Sequence, residues 1–102
     1  MELQQLADQI GRIANRIAQC VESAVLDKYD ERAFAFIAER LSEMEQECRS
    51  GQLKSPDKRF PELTRLAVES DPSVLPPDLG GELIRVEEIY IVWETSCDKL
   101  KA

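Results

Sequence analysis

Apolar residues recur at spacings of three and four along three long stretches of this chain, the period of one helix face. In the first stretch Leu3, Leu6, Ile10, Ile13, Ile17, Cys20 and Ala24 form the seam. Ala7, Ala14, Ala18 and Val21 flank it, and small flanking residues let a neighbouring helix approach closely. A helix over about 3–26 is predicted. Gly11 lies off the stripe and marks a kink or a close contact. Asp27–Asp30 breaks the pattern. Asp30 is a good N-cap, with Glu31 placed to favour the helix dipole. The second helix is expected over about 31–49, with Phe34, Ile37, Leu41, Met44 and Cys48 as its seam and Gly51 as its terminator. So short a break between two long helices implies an antiparallel hairpin.

Residues 50–61 read as a loop, and a short helix over about 61–70 follows, with Leu63, Leu66 and Ala67 facing inward. Residues 71–81, rich in proline and glycine, read as a second loop pinned by Val74, Leu75 and Leu79, with Gly80-Gly81 turning into the next helix. The third long helix is expected over about 80–100. Its seam is Leu79, Leu83, Val86, Tyr90, Trp93, Cys97 and Leu100, widened by Ile84, Ile89 and Ile91. Apolar residues cover more than half its circumference, wider than a surface helix needs. Residues 89–93 are rich in strand formers. A lone strand has no partner elsewhere in the chain, and the helical spacing persists on both sides. The fold predicted is a single all-α domain over 1–102: an antiparallel helical bundle of three long helices and one short one, with a long ordered loop over 50–81.

Charge and missing residue types narrow the chemistry. With 20 acidic and 13 basic side chains the net charge is −7, which disfavours direct binding to nucleic acid or an anionic membrane. No apolar run is long enough for a membrane helix, and the N-terminus lacks the pattern of a signal peptide, so a cytoplasmic protein is expected. Histidine is absent, which removes the commonest general base and metal ligand. Cys20, Cys48 and Cys97 fall on or beside the stripes of different helices and read as small buried hydrophobes. Cys20 and Cys48 lie roughly 15 Å apart along an antiparallel hairpin, too far for a disulfide.

The remaining candidates are surface groups. Carboxylates on facing helices of a bundle can hold a metal ion. Glu43, Glu45 and Glu47 sit on the polar side of the second helix, with Glu87, Glu88 and Glu94 on the third. Neither these nor Glu22, Asp27 and Asp98 reproduce the paired-acid spacing of the all-α nucleotide pyrophosphohydrolases. No cofactor is implied. Glu39, Glu43 and Glu47, four residues apart, form an acidic row that could steer a basic partner. Lys54, Lys58 and Arg59 form a basic island in the first loop. Tyr90 and Trp93 are either core or interface anchors. Phe36 and Val92 fall off the seams and call for a third element or a partner.

These features favour a non-enzymatic protein-binding module. An inhibitor, immunity, antitoxin or anti-defence protein, or an assembly adaptor, would dock a helix face around Phe36, Tyr90, Val92 or Trp93. A homodimer closed by the surplus apolar surface is the structural alternative. A carboxylate- and metal-dependent hydrolase is the third.

Overall fold

The computed structural model describes residues 2–70, 72 and 74–93. Among these residues, four α-helices run over Leu3–Glu22 (α1), Lys28–Ser50 (α2), Glu62–Glu69 (α3) and Pro77–Val92 (α4), and a single 3-10 turn spans Pro56–Lys58. No strand occurs among the described residues. The fold is the expected all-α bundle. Specific polar contacts give its directions. Gln4 Nε2 donates to the Arg49 carbonyl at 3.3 Å, and Arg49 meets Asp8 at 3.2 Å, so the end of α2 lies beside the start of α1. Arg16 of α1 pairs with Asp78 and Glu82 in the first turns of α4. At the other end of α4, the Tyr90 hydroxyl donates to Glu47 of α2. The helices run up, down, up and down, and α3 packs between α2 and α4 on the side away from α1.

The core follows the predicted seams. Leu6, Ile10, Ile13 and Ile17 of α1 meet Phe34, Ile37, Leu41, Met44 and Cys48 of α2, with Leu79, Leu83, Val86 and Tyr90 of α4 behind them. Leu63 brings α3 into the core, and Leu75 pins the loop before α4. Cys48 is buried and Cys20 half-buried, both as free thiols; Cys97 lies outside the described residues. Gly11 marks a close contact, because a Cβ there would lie 3.2 Å from the Glu45 carboxylate.

Several boundaries differ from those expected. α1 ends at Glu22, four residues before the predicted 26, and Ser23 follows as its C-cap. α2 begins three residues early, because Asp27, rather than Asp30, is its N-cap: the Asp30 amide donates to Asp27 Oδ1 at 2.8 Å. Gly51 ends α2 at φ 75°, the left-handed conformation that glycine adopts without strain. α4 also begins early. Pro77 occupies its first turn with Asp78 beside it, so Leu79, Gly80 and Gly81 are helical instead of forming a turn. Gly80 is buried, with Leu75 Cδ2 3.7 Å from the position a Cβ would take. α4 is helical through Val92, and Trp93 is extended, so the predicted helix does not run on unbroken; residues 94–100 lie outside the described residues.

Candidate functional site

Two buried charges position α3, and α3 in turn makes one wall of the candidate site. The residue before α3 is Pro61, which offers no side-chain cap. Glu87 of α4 substitutes for it. Its carboxylate, 1% exposed, accepts from the Leu63 amide at 2.8 Å and from the Thr64 amide and Oγ1, each at 2.7 Å. A negative charge at the positive end of a helix satisfies amides that lack a partner within the helix. At the far end of α4 the relation is reversed. Arg59, 3% exposed, donates from Nη1 to the carbonyls of Tyr90, Ile91 and Trp93 at 3.0, 3.3 and 2.7 Å, and from Nε to Lys54 O at 2.7 Å. A cation thus closes the negative end of α4.

The Tyr90 ring lies between these groups. The guanidinium carbon of Arg59 is 5.5 Å from the ring centroid and that of Arg40 is 5.9 Å, within cation–π range. The Tyr90 hydroxyl donates to Glu47 Oε1 at 2.6 Å. Burial and the neighbouring Glu47 raise the Tyr90 pKa well above the ordinary phenol range. Burial, reinforced by Glu47, pushes the Cys48 thiol up to about 11. Both groups are therefore uncharged at neutral pH. Among the described residues, Arg40 Nε and Arg59 Nη2 have no hydrogen-bond partner.

With α3 held in place, a groove of about 570 Å³ opens between it and the first half of α2. Tyr29, Ala33, Phe36 and Leu66 give it an apolar lining, with Arg32, Arg65, Glu62 and Glu69 around them. Tyr29 is 65% exposed and Phe36 41% exposed. Two aromatic side chains thus present apolar surface to solvent in one groove.

The predicted site residues separate into distinct settings. Phe36 lies in the groove. Val92 is 74% exposed at the end of α4, away from it. Tyr90 is buried in the core, and Trp93 packs half-buried against it. Glu39, Glu43 and Glu47 do not form a free acidic row. Glu43 meets Arg40 at 3.5 Å and Lys54 at 3.8 Å, and Glu47 is taken by Tyr90 and by the Lys54 amide at 3.0 Å. Glu39 remains exposed. The basic island is likewise divided, because Lys54 and Lys58 face solvent while Arg59 is buried as the cap of α4. Glu45 pairs with Arg49 at 2.8 Å and Glu87 caps α3, so neither is turned toward a shared ligand; Glu94 lies outside the described residues. No cluster of acids and cysteines suited to a metal ion occurs among the described residues, and no helix there is long and apolar enough to cross a membrane.

Sequence reasoning missed Tyr29 and Leu66 as site residues. Tyr29 stood in the predicted break between helices. Once α2 begins at Lys28, Tyr29, Ala33 and Phe36 form a second apolar stripe at helical spacing. The chain matches no protein-family model, no curated protein and no solved structure.

Proposed function

We propose that this chain is a protein-binding module that works without catalysis, and that it docks a partner in the α2–α3 groove. The observation that supports this reading is the exposed pair Tyr29 and Phe36 beside Leu66 in a groove whose α3 wall is held by the buried Glu87 cap. The occupant is an amphipathic helix of a second protein, its apolar face on these side chains. Arg32 and Arg65 meet its acidic residues, and Glu62 and Glu69 its basic ones. An inhibitor, immunity-type or adaptor role requires only such a docking face. The net charge of −7 favours partners with a basic surface.

A photoreactive phenylalanine analogue at position 36, used in the native cell, tests the proposal. A discrete adduct with another protein that is lost on Leu66→Asp supports it. An adduct of two copies of this chain would assign the groove to self-association instead. An adduct unaffected by Leu66→Asp, or none, would overturn the assignment of the groove.

A further inference from the structure

On the α1–α4 side of the bundle, opposite the α2–α3 groove, lies a cleft of about 310 Å³. Its lining includes three arginines, Arg12, Arg16 and Arg85, against one carboxylate, Glu82. Arg16 already takes that carboxylate and is held from a second side by Asp78 at 3.6 Å. Arg12 on α1 and Arg85 on α4 have no acidic side chain within ion-pair distance among the described residues. This is unusual in a chain where acids outnumber bases by 20 to 13. Of the other arginines, Arg40, Arg49 and Arg65 pair with carboxylates and Arg59 with backbone carbonyls; among the described residues Arg32, in the α2–α3 groove, is unpaired too. Two uncompensated guanidiniums thus face one cleft from two different helices. Gln9 adds an amide beside them, while Ile13 and Val86, 6% and 2% exposed, close the floor of the cleft as core residues.

The donor set favours one ligand chemistry. A carboxylate engages a single guanidinium fork through its two oxygens and carries one negative charge. Two forks approaching from separate helices match an anion with three terminal oxygens and close to two negative charges, which is a phosphoryl group. We infer that the α1–α4 cleft binds a phosphoryl group, with its oxygens between Arg12 and Arg85. This site is independent of the α2–α3 groove.

The test uses phenyl phosphate as probe, read by the arginine Nε–H resonances of the isotopically labelled full chain. The expected result is a saturable shift at Arg12 and Arg85, with Arg32 unmoved as an internal control. Each arginine also reports on the loss of the other. Arg12→Gln should weaken the saturation read at Arg85 about tenfold or more, and Arg85→Gln that read at Arg12, as removal of one charge-assisted fork implies. Circular dichroism should stay unchanged in both variants, because both side chains are exposed. A shift of equal size at Arg32 would overturn the inference. So would unaltered saturation at the remaining arginine of either variant.

Discussion

Glu87→Gln isolates the charge that holds α3 to the bundle, because it preserves the volume and shape of the side chain. In the native protein one carboxylate oxygen accepts from the Leu63 amide at 2.8 Å and the other from the amide and hydroxyl of Thr64 at 2.7 Å. A glutamine can turn its oxygen to only one of these amides. In either orientation its NH2 group faces the other backbone N–H, so a buried donor is left without an acceptor. That costs about 1–3 kcal/mol, and loss of the negative charge at the helix N-terminus adds about 0.5–1 kcal/mol. Relief from burying a charge works in the opposite direction. With three charge-assisted bonds in place, the donors prevail, and the net loss should be about 1–3 kcal/mol. For a domain of this size that is a large share of about 5–15 kcal/mol. Urea denaturation at constant m-value measures it, and amide exchange places it on α3, whose protection should fall before that of α1 and α2. A Glu87→Gln protein within about 0.5 kcal/mol of the native one, the scatter of ordinary surface substitutions, would refute the capping argument.

The other expectations follow from the same geometry. Arg59→Met should cost about 2–4 kcal/mol in denaturation experiments, since it strips the carbonyls of Tyr90, Ile91 and Trp93 of their shared donor; Arg59→Lys should recover only part, because an ammonium cannot reproduce the guanidinium fork. Gly51→Ala forces a left-handed φ of 75° on a residue with a Cβ and should destabilise by about 1 kcal/mol, read as a lower urea midpoint. Stability should also decline in alkali. Cys48 holds its proton up to about 11 in the folded chain against 9.0 ordinarily, and the Tyr90 pKa is raised as well, so the folded state binds more protons than the unfolded state as pH rises past 9. The stability from the Cys48 shift is complete below pH 9 and lost by about 11, each such group contributing a slope of up to about 1.4 kcal/mol per pH unit. Flat unfolding midpoints between pH 8 and 11 would contradict this. At neutral pH, a thiol reagent should modify Cys20 well before Cys48, as mass mapping of the labelled peptides would show.

Most of the fold was legible because packing and periodicity agree. Every residue on the predicted α2 seam is buried, and Gly51 ends that helix in the conformation expected of it. The errors came where two sequence signals competed. Asp27 and Asp30 are both good caps, and only the fold reveals which carboxylate reaches an amide. Gly80-Gly81 resembles a turn, yet Pro77 with its fixed φ and Asp78 beside it start the helix sooner. The buried charges were not legible for a different reason. Glu and Arg are ordinarily exposed, so pattern reading put Glu87 among solvated carboxylates and Arg59 in a basic loop. Their roles depend on helix ends 23–34 residues away in sequence. Phe36 could be flagged because it broke its own seam; its companions Tyr29 and Leu66 become visible only once α3 is placed beside α2.

The buried caps and the exposed groove are therefore parts of one arrangement. α3 has only eight residues, too short to persist as a helix by itself. It contributes Leu63 to the core and half-buried Leu66 to the groove. Without Glu87 at its start, those contacts would have to offset the entropy of ordering the whole segment. Without Arg59, the loop leading into α3 loses its anchor on α4. Holding α3 by charge instead of by extra apolar contact leaves Tyr29 and Phe36 exposed on the outer surface, with Leu66 half-buried against the core beside them. A groove fixed in advance also spares a partner the cost of ordering it. Variants weakened at Glu87 should consequently bind the occupant of the groove more weakly even though Glu87 is buried away from it. Variants at Phe36 should lose binding while the unfolding midpoint barely moves. Measuring both quantities for both positions separates a groove that recognises a partner from apolar surface that merely failed to be covered.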